Sequence, residues 1–268
     1  MSGETSRRQF FLKRSKSLGQ CFLSSAQYLD AEAELVAPSQ KTIVEIGAGD
    51  GRLSERLISL GAKKLFLIEK DAEYASILRN KFEGYNVEVI EGDFLGIAPF
   101  KVDIVCGNIP YYISSQITFR LLDWRFKRAV LMYQKEFCLK MLEAGKVKSR
   151  LSFFSQYYFD MEPLFTVPRQ AFRPVPKVDS MLIELVPKKV APLSKEVSSA
   201  ITMLFQHRPK TLASSLKVIL KQVAGKKPVA IPKQFDKYGL SKRIFELSNN
   251  EILEIGTELA GIISKAQQ

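Results

Sequence analysis

Short apolar runs alternate with amphipathic stretches along the first two thirds of the chain. The runs are rich in β-branched residues and are bounded by glycine, proline or acidic residues, which is typical of buried strands. The stretches between them carry apolar residues three and four positions apart, as in Leu53, Leu57 and Ile58, which indicates helices. Strands are therefore predicted at 42–46, 64–68, 87–90, 102–105, 128–133, 162–167 and 180–186, and helices near 25–35, 72–82, 135–142 and 150–158. Ser25 or Ser24 is the expected cap of the first helix.

This alternation predicts an α/β protein with a doubly wound, Rossmann-like sheet. A lysine- and proline-containing linker at 187–192 ends the pattern, and no strand signal returns after it. Segments 194–206, 209–223 and 249–265 are predicted to be helical. We expect a Rossmann-like domain at 1–188, with a basic tail at 1–17, and a small all-helical domain at 189–268.

Polar or glycine-rich residues follow each of the first four strands. The turn at 47–51 has the spacing Gly-x-Gly-x-Gly, which lets the backbone approach a nucleotide-type cofactor but is neither a P-loop nor the dinucleotide fingerprint. Glu69 ends the second strand 18 residues after the third glycine of the turn, where a carboxylate suits a ribose diol. Asp93 follows the third strand and is placed to accept from an adenine amino group, with Phe94 flanking the ring. A surface or turn carboxylate is the alternative at both positions.

The fourth strand leads into Asn108-Ile109-Pro110-Tyr111, and Gly107 and Pro110 are expected to break it. In open α/β sheets, ligands bind at this edge. An adenine amino group is a poor nucleophile, because its lone pair is delocalised into the ring. The Asn108 side-chain oxygen and the Ile109 carbonyl are suited to accept its two N–H bonds, and Tyr111 is suited to stack on the base. The alternative is an ordinary loop with a turn asparagine and a packed tyrosine.

A proline-stiffened loop joins the last two predicted strands. It reads Phe172-Arg173-Pro174-Val175-Pro176 and is predicted to hold Phe172 rigidly over a pocket. A loop that is simply packed against the protein explains the same residues.

The charge balance favours a polyanionic partner. The chain of 268 residues has 40 Lys and Arg against 28 Asp and Glu, a net charge of +12 and a pI of about 9.5, and nucleic acid is the commonest partner of such proteins. Basic residues are dense in the helical domain, where a phosphate-binding face and a solvated helical surface are the two interpretations. The predicted RNA contacts are Arg208, Lys210, Lys217 and Lys221.

Cysteine and histidine usage argues against a metal site. Cys21, Cys106 and Cys138 show no metal or disulfide spacing, which favours a reducing compartment, and His207 is the single histidine. No apolar run approaches the roughly 20 residues of a membrane span. We therefore expect a cytoplasmic protein with no metal and no membrane partner.

Taken together, these motifs resemble the ribosomal small-subunit RNA adenine dimethyltransferase family, the KsgA-type enzymes. The resemblance spans nearly the whole chain, and the motifs in this order are highly specific. Its carriers are the segments 19–23, 44–51, 69–71, 91–93, 108–111 with 113–115, and 172–180, with a weaker match at 205–212.

The resemblance implies an S-adenosylmethionine-dependent methyltransferase domain followed by a helical RNA- or ribosome-binding domain. It implies dimethylation of two adjacent adenosines near the 3′ end of small-subunit ribosomal RNA, on the pre-ribosomal small subunit, and we expect the enzyme to be a monomer. Asn108, Pro110, Tyr111 and Phe172 would form the catalytic site. The donor would be bound by Gln20, Cys21, Leu23, Gly47, Gly49, Glu69, Lys70, Asp93, Phe94 and Asn108.

Two positions depart from the family pattern. The family usually has His or Asn where this chain has Cys21, and Pro209 interrupts the basic cluster between Arg208 and Lys210.

Two other functions fit part of the sequence. One is methylation of adenine in large-subunit RNA or DNA, which substrate mapping would distinguish. The other is a ribosome-assembly or nucleic-acid-binding factor with secondary or lost methyl transfer, which a donor-binding assay would distinguish.

Overall fold

The computed structural model describes residues 21–142, 149–224 and 230–267. The basic tail at 1–17 and the predicted donor residue Gln20 lie outside the described residues. The first part of the fold contains β1 Phe22–Leu23, α1 Ala26–Val36, β2 Thr42–Ile46, α2 Arg52–Ser59, β3 Lys64–Glu69, α3 Ala72–Lys81, β4 Val87–Glu91, β5 Ile104–Asn108, α4 Ser114–Arg120, β6 Arg128–Gln134, α5 Lys135–Leu142, α6 Arg150–Tyr158, β7 Phe159–Val167, β8 Phe172–Arg173 and β9 Ser180–Pro187. The second part contains α7 Lys195–Gln206, α8 Leu212–Ala224 and α9 Asn249–Gln267.

Seven of the strands form one mixed sheet in the order β4-β3-β2-β5-β6-β9-β7. The five strands from β4 to β6 are parallel, and β9 and β7 continue the sheet in antiparallel orientation. The predicted Rossmann-like class is confirmed. Because β2, β3, β4 and β5 are parallel neighbours, their carboxyl ends meet at one edge, and the polar residues that end these strands come together there.

A second, two-stranded sheet closes this edge. β1 pairs antiparallel with β8, so that Leu23 lies opposite Phe172. Ser24 strengthens the junction, since its backbone N–H and its hydroxyl both donate to the Ala171 carbonyl, at 2.8 and 2.9 Å. The segment before α1 and the proline-stiffened loop are thereby brought to the same side of the sheet, although about 150 residues separate them.

The C-terminal helices have a hydrophobic core of their own. Leu204, Leu216 and Ile252, on three different helices, are fully buried in it. Phe153 and Phe154 of α6 belong to the same cluster. The helical part is therefore anchored to the sheet domain through an aromatic contact from α6.

Three details of the predicted elements are corrected. β5 runs through Gly107 to Asn108 and ends before Pro110, because the glycine allows close packing on β2 and does not break the strand. Ser25 occupies the N-cap position of α1, but its side chain makes no capping hydrogen bond. β7 begins at Phe159, three residues before the predicted start, because the buried Phe159 already pairs with Pro187 of β9.

α8 begins three residues later than predicted. Pro209 and Lys210 lie in a turn in which the Lys210 N–H donates to the His207 carbonyl at 2.8 Å. Thr211 then supplies its hydroxyl oxygen to the Ser214 N–H at 3.3 Å. The helix therefore starts at Leu212, directly after this threonine.

Candidate active site

A cavity opens where β2, β3, β4 and β5 end, beneath the β1–β8 pair. It brings together every predicted catalytic and donor-binding residue within the described part of the chain: Cys21, Leu23, Gly47, Gly49, Glu69, Lys70, Asp93, Phe94, Asn108, Pro110, Tyr111 and Phe172. The site residues that the sequence predicted therefore lie together in the fold.

The glycine-rich turn is held open by Glu69. One oxygen of this carboxylate accepts from the Gly49 N–H at 2.8 Å and the other from the Asp71 N–H at 2.9 Å, and the residue is only 4% exposed. Gly47 has a φ of +70°, which side chains rarely adopt, and a Cβ built on it would meet nothing within 4 Å. The turn thus leaves a cradle of open space beside a fixed carboxylate. Glu69 holds the turn in addition to the ribose contact predicted for it.

Asn108 is positioned by an unusually close approach of two strands. Gly107 has a φ of +141°, and a Cβ built on it would lie 2.4 Å from the Ile46 carbonyl oxygen of β2. The Ile109 N–H then donates to the Met132 carbonyl at 2.9 Å, which fixes the chain just after β5. The Asn108 Oδ1 atom is buried and has no hydrogen-bond partner in the described structure. A buried acceptor left unpaired in a cavity-lining residue is suited to a partner supplied by a ligand.

Asp93 and Lys70 form an ion pair at the rim of the cavity. The lysine Nζ lies 2.8 Å from one carboxylate oxygen, and the Leu95 N–H donates to the other oxygen at 3.0 Å. The hydrogen bond from Lys70 lowers the pKa of Asp93, which is therefore ionised at neutral pH. Phe94 is buried next to it, and its ring stacks on Trp124 with the centroids 5.0 Å apart.

Aromatic residues form the other side of the cavity. The Tyr111 hydroxyl lies 2.7 Å from the Ser180 hydroxyl, and burial raises the pKa of Tyr111. Phe172 is buried and lines the cavity. Ser180 was not among the predicted site residues, although it ends the 172–180 motif. Tyr112, at the mouth, is 57% exposed.

Two buried carboxyl groups beneath the cavity were not predicted. Glu45 lines the cavity and accepts from the Ser54 hydroxyl at 2.5 Å, and Glu32 on α1 is fully buried. Burial, with a smaller effect of neighbouring carboxylates, raises the pKa of each to about 8. Glu32 shares the buried face of α1 with Leu29, Ala33 and Val36. An acidic residue at the spacing of an apolar stripe was the available sequence signal.

The predicted RNA-binding residues lie away from the cavity, on the helical part. Arg208, Lys210, Lys217 and Lys221 are all exposed. Lys217 and Lys221 are four residues apart and therefore share one face of α8. Arg243 lies next to this surface, since its guanidinium donates to the Pro209 carbonyl at 3.0 Å. The sequence-predicted basic residues thus lie on α8 and the turn before it.

In the described ranges, no group of three or more His, Cys, Asp or Glu side chains is arranged to hold a metal ion. No described helix is long and apolar enough to span a membrane.

The cavity fits a nucleoside-bearing methyl donor. The open space beside Gly47 leaves room for a ligand. The carboxylates of Glu69 and Asp93 are held by hydrogen bonds and are suited to accept from hydroxyl and amino groups. Asn108 offers an unpaired acceptor beside them. A Rossmann-like sheet with these residues at its carboxyl edge is suited to bind a nucleoside-type cofactor there. A family model for ribosomal RNA adenine dimethylases matches residues 11–239. The chain belongs to this family.

Individual relatives agree with the family assignment. A Pyrococcus abyssi protein named ribosomal RNA small subunit methyltransferase A is 37% identical over 257 residues, covering 92% of each chain. A Methanosarcina mazei protein of the same name is 37% identical over 262 residues, covering 92% of this chain and 93% of that protein. The crystal structure of a dimethyladenosine transferase from Plasmodium falciparum is similar with a TM-score of 0.73, 30% identity and coverage of 92% of this chain and 98% of that one. The predicted family, enzyme class and S-adenosylmethionine donor are confirmed.

Proposed function

We propose that this enzyme dimethylates N6 of two adjacent adenosines near the 3′ end of small-subunit ribosomal RNA, on the pre-ribosomal small subunit. The observation that carries the proposal is Asn108, whose side-chain oxygen is a buried, unpaired acceptor at the end of β5. The names of the relatives support the small subunit as the substrate. We also propose that the enzyme acts as a monomer and in the cytoplasm.

The donor is held by groups that differ in rigidity. Glu69 is fixed by two backbone N–H groups and keeps lone pairs for the ribose hydroxyls. Asp93 is oriented by Lys70 and by the Leu95 N–H, and remains able to accept from the adenine amino group. Leu23, Gly49 and Cys21 complete the cavity wall, the last of these with a thiol where the family usually has His or Asn. S-adenosylmethionine supplies an electrophilic methyl group on a sulfonium. As the N6–CH3 bond forms, the S–CH3 bond breaks, S-adenosylhomocysteine leaves with the electron pair and one N6 proton passes to water, so no strong base is needed.

The target adenine is oriented by the residues that follow β5. Asn108 Oδ1 and the Ile109 carbonyl accept hydrogen bonds from the two N–H groups of the amine. These hydrogen bonds localise the lone pair of the nitrogen and direct it toward the donor. Tyr111 and Phe172 stack on or flank the base, which must leave its own stack to reach the cavity. Stacking of this kind contributes about 1–3 kcal/mol per base. Orientation of the two reactants supplies much of the rate, since well-oriented intramolecular reactions gain roughly 7–11 kcal/mol.

The basic helical part supplies affinity for RNA. Exposed lysines on one face of α8 neutralise phosphates, a contribution that is independent of sequence and depends steeply on salt. The cavity then selects the adenosines, and the basic helices hold the RNA.

The experiment is to incubate unmethylated small subunits with labelled S-adenosylmethionine and to map the labelled nucleotides. Label in two adjacent adenosines near the 3′ end of the small-subunit RNA is expected. Label confined to large-subunit RNA or DNA would show that this nucleic acid, and not small-subunit RNA, is the substrate. Binding of the donor without any label would indicate an assembly factor.

A further inference from the structure

The hydrogen bond between Tyr111 and Ser180 joins two residues that line the cavity. Their hydroxyl oxygens lie 2.7 Å apart, and either hydroxyl can be the donor. Within the described ranges, neither hydroxyl makes a hydrogen bond to any other residue. Each of the two groups therefore depends on the other to satisfy its hydrogen-bonding capacity inside the protein.

Ser180 is held firmly in the interior of the sheet. It is the first residue of β9, it pairs with Gln134 of β6 and Val167 of β7, and it is fully buried. The backbone just before it is fixed as well, because the Lys135 N–H donates to the Asp179 carbonyl at 3.0 Å. The sheet therefore determines where the Ser180 hydroxyl lies.

Tyr111 is held less firmly. It begins a 3₁₀ turn of three residues, Tyr111–Ile113, which lies outside the sheet. Its carbonyl accepts from the Ser114 hydroxyl at 3.1 Å, but this contact holds the backbone and not the ring. The ring of a tyrosine turns about two side-chain torsions. The hydrogen bond to Ser180 is thus the polar contact that selects one orientation of the ring.

We propose that Ser180 is a positioning residue, which holds the Tyr111 ring in the cavity wall so that the target adenine can stack on it. The proposal rests on the proposed function, in which Tyr111 stacks on the target base. A side chain that is already fixed in its bound orientation loses little freedom when a ligand arrives, and this preorganisation favours binding.

The effect of Ser180 should fall on one step of the reaction. Phosphate contacts supply most of the RNA affinity, whereas the target base must leave its stack and enter the cavity after the RNA has bound. Loss of the hydrogen bond between Ser180 and Tyr111 should therefore lower the methylation rate of the bound complex. The Kd values for RNA and for the donor should stay unchanged.

The test is a double-mutant cycle of Ser180→Ala, Tyr111→Phe and the double variant, since both substitutions remove a hydroxyl and keep the aromatic ring. Tyr133→Phe is the matched control. The Tyr133 hydroxyl lies 3.1 Å from the Thr118 hydroxyl, and both of these residues are buried but do not line the cavity. Each variant is measured for urea unfolding, for donor and RNA Kd, and for single-turnover methylation of small subunits at saturating donor and RNA.

We expect Ser180→Ala and Tyr111→Phe to lower the single-turnover rate by similar factors, about threefold or more, which is part of the full contribution of stacking. The double variant should be no slower than either single variant, and Tyr133→Phe should keep the wild-type rate. A wild-type rate in Ser180→Ala, or an equal loss in Tyr133→Phe at matched stability, would overturn the proposal. A much larger loss in Tyr111→Phe than in Ser180→Ala, or losses that multiply in the double variant, would show that the two hydroxyls act separately and would also overturn it.

Urea unfolding gives a second readout that does not need activity. Removing one hydroxyl leaves the other without its partner, whereas removing both does not. The urea midpoint of the double variant should therefore be no lower than that of the less stable single variant, and additive falls would contradict the contact. If the wild-type enzyme leaves small-subunit RNA unlabelled while the midpoints are non-additive, the proposed function fails and the contact stands. If it labels that RNA while Ser180→Ala is as fast as wild type, the proposed function stands and the positioning role fails.

Discussion

Replacing Gly47 by alanine separates backbone strain from occupation of the donor space. Gly47 and Gly84 have similar backbone conformations, with φ of +70° and +84°, and a Cβ built on either would meet nothing within 4 Å. Alanine at either position therefore pays the same conformational cost of about 1–2 kcal/mol. Gly47 lines the cavity, whereas Gly84 lies in the turn between α3 and β4.

The magnitudes follow from this difference in position. A domain with roughly 5–15 kcal/mol of stability remains folded after either substitution, and the two urea midpoints should fall by similar amounts. The new methyl group at position 47 enters space that the donor needs. An extra methyl group in a filled site costs about 1–3 kcal/mol, which is roughly a five- to 150-fold rise in Kd. Gly84→Ala should leave the donor Kd unchanged.

Calorimetric titration of both variants with S-adenosylmethionine, together with urea unfolding, measures the two quantities separately. Equal donor affinities in Gly47→Ala and Gly84→Ala would show that the donor does not lie against the glycine turn. A much larger loss of stability in Gly47→Ala than in Gly84→Ala would show that the space beside Gly47 is not open.

Three further outcomes are expected. Asp93→Ala should weaken donor binding at least tenfold while far-UV circular dichroism is unchanged, and an unaltered affinity by calorimetry would remove Asp93 from the donor site. The double variant Lys217→Ala, Lys221→Ala should lower the slope of log RNA affinity against log salt by roughly 1.4–1.8 without changing donor affinity; an unaltered slope would mean that this face of α8 does not meet RNA. The unfolding free energy should fall as pH rises from 5 to 8, because Glu45, with its pKa raised to about 8, binds a proton in the folded state that the unfolded chain releases near 4.5. Each such group contributes at most about 1.4 kcal/mol per pH unit, and urea titrations of Glu45→Gln should give a flatter profile than wild type; an equally steep profile would assign the effect to other groups.

The local sequence was sufficient to predict which polar residues lie at the carboxyl ends of the strands. Glu69, Asp93 and Asn108 were predicted together because parallel neighbouring strands must bring their carboxyl ends to one edge. The basic residues of α8 were visible as charges, and their spacing placed Lys217 and Lys221 on one face.

Long-range contacts limited the rest of the prediction. Gly107 was expected to end a strand, because nothing local reveals that its missing Cβ makes room for the Ile46 carbonyl on β2. Ser180 contacts Tyr111 across 69 residues, and this partner depends on how β9 is placed in the sheet. The burial of Glu32 was not predicted, because its face of α1 is covered by elements that come later in the chain, such as α2 and β6.

The most direct test of the account is the single-turnover methylation rate of Asn108→Ala on small subunits at saturating donor. The side-chain oxygen of Asn108 is proposed to act on the amine in the transition state, so its removal should lower the rate roughly 10²–10³-fold, as loss of one preorganised polar group does elsewhere. RNA binding should survive, because phosphate contacts dominate affinity. Asn108→Asp, which keeps an acceptor oxygen, should retain more activity than alanine if accepting the amine proton is the main role. A rate near that of the wild type in Asn108→Ala would contradict the assignment of the catalytic centre to the end of β5.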